Sequence, residues 1–212
     1  MPVAQNLVDE IVQLEWKMFS NVQSMDGPVS CQQNPKTFEV MRSSQIKSWT
    51  DDVATSYLAD LHTAEERDRN LMTEKYARMM QYTSPCEFRR IEAQLPRLEP
   101  EAEDLVERLT RKLVEWQEEL AAKYPYMAGQ GRPIRSTGDN KYITSFESYN
   151  RGELATYSVR TLGLLEQHYQ MMAAAGENPA LTVLQHTVER YGYKSIERAE
   201  EVQRARVEEA RG

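Results

Sequence analysis

The 212-residue chain is 40% hydrophobic and 28% charged and has a formal net charge of -7. That length suffices for one generous domain or two intimate small ones with a substantial core. The acidic balance ranks a nucleic-acid partner low, because such a partner would bind against the overall field.

The opening "MPVAQNLVDEIVQLEWKMFS" interleaves Asp9, Glu10, Glu15 and Lys17 with apolar residues, so it lacks the apolar region of a secretory signal. Nowhere is an apolar run long enough to span a bilayer, and no membrane association is expected. Two cysteines, Cys31 and Cys86, make a disulfide framework an unsuitable organising principle; reduced thiols in a cytoplasmic protein are the simplest reading. Cys31 reads as a small buried thiol, or as a nucleophile if a base lies close.

Glycine and proline are scarce and clustered, in "DGP" at 26–28, "NP" at 34–35, "SP" at 84–85, "QLPRLEP" at 94–100, "GQGRP" at 129–133 and "GEN" at 176–178. Between these breaks the spacing is helical. Helices are predicted over 5–22, 36–66, 70–82, 101–123, 145–175 and 180–191, followed by a charged helical tail, and no segment reads as a strand. Asn34 before Pro35 has the form of an N-cap, and Thr144 with Glu147 that of a capping box. The expected fold class is all-α.

The chain also echoes itself. At an offset of 108, Phe38 meets Phe146, Glu39 meets Glu147, Gln45 meets Glu153, Ile46 meets Leu154, Trp49 meets Tyr157 and Asn70 meets Asn178. "LEW" at 14–16 meets "VEW" at 114–116 at an offset of 100. The expected organisation is a duplicated helical domain: repeat 1 over 1–95, repeat 2 over 96–193, and a tail over 194–212. The two repeats would pack about a pseudo-twofold as one globular unit. Chance likeness between amphipathic helices is the competing explanation.

Advancing about 100° per residue places several polar groups inside oily stripes. Glu15 falls among Leu7, Val8, Ile11, Val12, Met18 and Phe19; Arg42 and Gln45 fall among Phe38, Ile46, Trp49 and Val53. Asn150, Glu153 and His168 share a face with Phe146, Leu154, Tyr157 and Leu164, and Lys75 sits with Leu71, Met72, Met79 and Tyr82. A lone buried charge is costly, so these groups must pair or meet a ligand. Under a pseudo-twofold, Arg42 and Glu153 would pair at the centre. Glu115, the letter-match of Glu15, points away from its stripe, which implies one asymmetric site. Either a structural network that pins helix register or a pocket accounts for the pattern. Lys75 is alternatively a snorkelling stem.

In "GQGRPIRSTGD", Arg132 and Arg135 flank Pro-Ile just ahead of a helix and form a candidate anion clamp, with simple solvation the alternative. No Gly-Lys-Ser or Gly-Lys-Thr follows, so this is not a Walker loop, and no cofactor is expected. Three histidines without Glu-x-x-His spacing give no di-iron pattern and no metal site is expected, although carboxylates alone leave Mg²⁺ open.

The stretches "EWKMF", "SCQQNPKTFEVMRSSQIKSW", "NLMTEKYARMM", "YPYMAGQGRPIRS" and "TSFESYNRGELATYS" resemble a bacterial family catalogued as domain-of-unknown-function 4125, over roughly residues 5 to 195. The resemblance implies no activity. It places Glu15, Trp16, Arg42, Gln45, Glu74, Tyr76, Arg78, Arg132, Arg135, Glu147, Arg151 and Glu153 in the family's motif blocks. Where that pattern often reads Tyr-Leu-Arg-Gly, the chain has Tyr149-Asn150-Arg151-Gly152, which leaves Asn150 without an implied role.

The leading expectation is an enzyme on a small anionic metabolite. Glu15 or Glu153 would be the acid or base, its pKa raised by an apolar pocket. Arg132, Arg135 and Arg42 would hold the anion, and Gln45, Tyr76, Glu147, Arg151, Trp16 and Lys75 would complete the site. Two alternatives stand beside it: a binding or sensing module without chemistry, and a partner-binding protein using the tail stripe of Ile196, Val202 and Val207. A homodimer is left open.

Overall fold

A computed structural model describes residues 3–22, 32 and 34–210; Cys31 lies outside them. Among the described residues there are eleven α-helices and no strand. They are α1 (Gln5–Ser20), α2 (Pro35–Ile46), α3 (Asp51–Glu66), α4 (Leu71–Thr83), α5 (Pro85–Ile91), α6 (Pro100–Lys123), α7 (Pro125–Ala128), α8 (Phe146–Leu154), α9 (Val159–Ala174), α10 (Pro179–Arg190) and α11 (Ile196–Glu209). The described helices include none long and apolar enough to cross a membrane.

Local chemistry sets the helix starts. The side chains of Asn34, Thr50, Asn70, Ser145, Ser158 and Asn178 each accept from a first-turn N–H that the helix itself leaves unpaired. Pro35 and Pro179 add a pre-set φ in the first turn. The predicted capping box does not form: Ser145, not Thr144, caps α8 by accepting from Ser148 N, and Glu147 accepts instead from Ser136 N at 2.8 Å.

The two longest predicted helices are each broken. Residues 36–66 divide into α2 and α3, and 145–175 into α8 and α9. Both breaks use the same devices. Ser48 Oγ donates to Gln45 O and Thr156 Oγ1 to Glu153 O, which satisfies a last-turn carbonyl. Thr50 and Ser158 then turn extended and cap the next helix. Each break lasts only four residues, and Trp49 and Tyr157 stay buried across it, so the apolar spacing continues with little change of phase. Helices α5 and α7, unforeseen, both begin at proline.

Helix α1 packs on α2, α3 and α4, and α6 packs on α8, α9 and α10; α2 crosses to α10, α4 to α8, and α3 to α9. Val8, Ile11, Phe19, Val53, Tyr57 and Leu61 join Leu105, Leu109, Trp116, Leu162 and Leu165 in one core. Burying each such side chain is worth roughly 1.5–3 kcal/mol. A smaller cluster of Tyr124, Val188, Ile196 and Ala199 docks α11.

The capping asparagines also set helix register. Asn70 Nδ2 donates to Met18 O of α1 at 2.8 Å, and Asn178 Nδ2 to Trp116 O of α6 at 3.0 Å. These contacts match Met18 with Trp116, an offset of 98 residues rather than the 100 of the "LEW" and "VEW" triplets. On the expected duplication that offset would set Leu113, not Glu115, against Glu15; Glu115 is exposed and pairs with Lys112.

Candidate functional site

Four helices bring one charge each to the middle of the fold. Glu15, with no exposed surface, comes from α1; Arg42 comes from α2, Lys75 from α4 and Glu153 from α8. Gly152 lets α8 approach α4, since a Cβ there would lie 3.0 Å from Lys75 O and from Met79 Cγ.

Arg42 grips Glu15 with two parallel bonds, Nε to Oε2 at 2.7 Å and Nη2 to Oε1 at 2.5 Å. Its Nη1 donates to Gln45 Oε1 at 2.7 Å and to Glu153 Oε1 at 2.9 Å. Lys75 Nζ donates to Glu153 Oε2 at 2.5 Å, and Tyr157 OH to Glu153 Oε1 at 2.8 Å. Tyr57 OH closes the far side on Glu15 Oε1 at 2.7 Å. Two carboxylates and two cations make a neutral cluster in which every charge is partnered.

Titration follows from that arrangement. Burial works to raise the pKa of Glu153, but the charges of Arg42 and Lys75 and the bonds from Lys75 and Tyr157 outweigh it and hold the carboxyl well below its ordinary range. The raised value expected for an acid catalyst is therefore overturned at Glu153. Burial opposes the Lys75 ammonium, yet Glu153 beside it more than compensates and keeps its pKa above the usual lysine value. Burial pushes Tyr57 and Tyr157 well up, helped by Glu15 and Glu153 respectively.

Beside this cluster lies a cavity of about 550 Å³ between α2, α4, α6, α8 and α10, closed on one side by the loop after α7. Most of its wall is apolar or aromatic, including Phe19, Phe38, Met72, Leu120, Phe146 and Leu165. Its charged side chains are Arg42, Lys75, Arg132 and Glu153. Gln45, Tyr76, Tyr149 and Asn150 also reach it, whereas Glu15 sits behind Arg42 and does not. Lys75 Nζ lies 3.6 Å from the centre of the Tyr149 ring, and Arg132 Cζ 4.9 Å from the same ring. Arg132 also donates to Thr144 O at 3.0 Å, and among the described residues it has no carboxylate partner.

Several residues expected at the site are elsewhere. Arg135 pairs with Glu118 on the surface at 2.6 Å, so the two loop arginines do not converge. Trp16 packs edge-on against Phe19 and Phe38 and does not line the cavity. Glu147 and Arg151 brace the outside: Arg151 pairs with Glu147 at 3.0 Å and Glu107 at 2.7 Å and lies over Tyr82. His168 donates to Ser48 O at 2.8 Å, a structural bond from α9 to the turn between α2 and α3. Among the described residues no three His, Cys, Asp or Glu side chains gather as metal ligands.

Sequence reading missed the hydroxyls of Tyr57 and Tyr157 and the ring of Tyr149. Tyr157 had a signal, since it stands one turn after Glu153. It also missed Asp139, which accepts from Ser145 N and Ser148 Oγ and ties the loop to the start of α8.

A model of the family described as "Protein of unknown function (DUF4125)" matches residues 5–201, most of the chain. No curated protein and no solved structure matches it.

Proposed function

The chain belongs to the DUF4125 family, and from the site just described we propose that it is a binding module that encloses a small, largely apolar molecule in the central cavity. One observation carries the reading. Glu153, the single carboxylate on a mostly apolar wall, is held ionised by Arg42, Lys75 and Tyr157, so at neutral pH it is neither a proton donor nor a strong base. Glu15 does not line the cavity, and both of its oxygens are taken by Arg42 and Tyr57. The acid–base reading thus lacks its proton carrier, while the space falls within the roughly 300–1,000 Å³ of ordinary small-molecule sites. The partner-binding reading has less support, because Ile196 of its stripe is buried against the chain's own Tyr124 and Val188, which leaves Val202 and Val207 half-buried on α11.

The test is titration with the fluorescent amphiphile 11-(dansylamino)undecanoate. Saturable one-to-one binding is expected in the parent and is abolished by Ala180→Trp, which fills the cavity from α10. Binding by a folded Ala180→Trp variant as tight as the parent's would place the probe elsewhere and sink the reading.

The cavity is further read as lying on the axis of an internal duplication, with units 1–95 and 96–193 and a tail after them. Support comes from α3 and α9, whose bounds recur 108 residues apart, as do the ends of α2 and α8 and the starts of α4 and α10. The neighbours recur too: α1 with α2, α3 and α4, against α6 with α8, α9 and α10. Aligned family members in which positions 108 apart are no more alike than random pairs of helix positions would refute it.

A further inference from the structure

We infer that the occupant is an acidic amphiphile, with a single carboxylate or similar anion beside Lys75, Tyr149 and Arg132 and an apolar body laid against α6, α9 and α10. This rests on the binding reading above and names its ligand class.

The wall carries three cations, Arg42, Lys75 and Arg132, against one carboxylate, Glu153. Glu15 behind Arg42 balances the buried four, which leaves Arg132 as the cation without an acid, in a chain whose net charge is -7. Three N–H groups belong to the Lys75 ammonium. One goes to Glu153 and the Tyr149 ring faces the head group, so donor capacity remains on a side chain only 2% exposed. Arg132 stands exposed beside Tyr149 with no carboxylate partner among the described residues, so an anion gains a pairing there that a wholly apolar molecule does not. A second anion would find no other cation on the wall that lacks an acid.

The charge is also one-sided. On the duplication reading the counterparts of Arg42, Lys75 and Tyr76 are Asn150, Val183 and Leu184, and that of Glu15 is Leu113. Arg42 and Lys75 thus have no charged counterpart, and although Glu153 and Arg132 come from the second half they stand with Lys75 and Tyr149 at the ionic end, while Leu113, Leu120, Leu165, Val183 and Leu184 line the apolar wall. Such a cavity orients its ligand head to tail.

The experiment compares 11-(dansylamino)undecanoate with its methyl ester, which has the same body and no charge, on the parent, Arg132→Ala and Arg135→Ala. The parent is expected to prefer the acid by about tenfold or more, the size of one charge-assisted hydrogen bond. That ratio falls towards one in Arg132→Ala and shrinks in about 0.5 M salt, while Arg135→Ala keeps it. Equal binding of acid and ester by the parent overturns the acidic class and leaves the cavity reading standing; binding of neither overturns both. An Arg135→Ala ratio that collapses like that of Arg132→Ala means general surface attraction and also overturns it. Both arginines are exposed, so neither variant puts folding at risk.

Discussion

Arg42→Met isolates what the buried network does for the fold. Methionine keeps the apolar stem and removes the guanidinium. Glu153 retains Lys75 at 2.5 Å, but Glu15 is left with the Tyr57 hydroxyl alone. Glu15 has no exposed surface, and a buried ion pair broken on one side costs about 3–5 kcal/mol. For a chain of this size each kcal/mol moves the midpoint by about 2–4 °C, so the melting temperature should fall by about 6–20 °C. Replacing both partners, as Glu15→Leu with Arg42→Met, removes the stranded charge and leaves the Lys75–Glu153 pair neutral. The double variant should recover most of the loss, with a coupling of about 2–3 kcal/mol. Urea unfolding followed by the fluorescence of Trp16, Trp49 and Trp116 measures all four corners of this cycle. A single variant within about 1 kcal/mol of the parent, or strictly additive losses in the double, would show that stranding Glu15 carries no penalty; the reasoning would then fail.

Three further outcomes are expected. The folded pKa of Glu153 is depressed, so its contribution is present above the unfolded value of about 4.3 and is lost as pH falls below it; between about pH 5 and pH 3 the parent's urea midpoint should drop more steeply than that of Glu153→Gln. Gly152→Val forces α8 away from the Lys75 carbonyl and should cost about 1–3 kcal/mol by the same unfolding assay, whereas a loss near zero would deny the close approach. Arg135→Ala removes an exposed pair with Glu118 and should change stability by less than about 1 kcal/mol, in contrast to Arg42→Met.

The buried charges were legible because a charged letter in an apolar stripe has few explanations. Glu15, Arg42, Lys75 and Glu153 were each singled out in that way, and the expected packing of the two repeats against each other set Arg42 opposite Glu153, a pair that forms at 2.9 Å. What spacing did not carry was the number of partners each would have. Glu153 takes a second cation from Lys75, 78 residues away, which joins Arg42 and the Tyr157 hydroxyl in outweighing burial. Arg132 and Arg135 look equivalent in sequence. The loop backbone separates them: Ile134 O accepts from Glu147 N and Ser136 N donates to the Glu147 carboxylate, so Arg135 faces Glu118 and Arg132 faces the cavity. Trp16 shows the limit of a motif block, which does not distinguish a packing ring from a contact with a ligand. The helix breaks at 47–50 and 155–158 were hidden because hydroxyl residues cap them without glycine or proline.

Arg132 hangs between two moorings. On one side Pro133 O and Ile134 O accept from the first N–H groups of α8. On the other, α7 is a single turn, too short to persist unaided, and its first two N–H groups, of Tyr126 and Met127, donate to the Glu200 carboxylate of α11 at 2.9 and 2.7 Å. Met127 and Leu184 line the cavity and also pack under α11. The last helix is thus the outer buttress of the cavity mouth. Cleavage of the chain near residue 195 is therefore expected to loosen α7 and the loop that carries Arg132 while the main core stays packed, and on the binding reading it would weaken ligand retention from a distance.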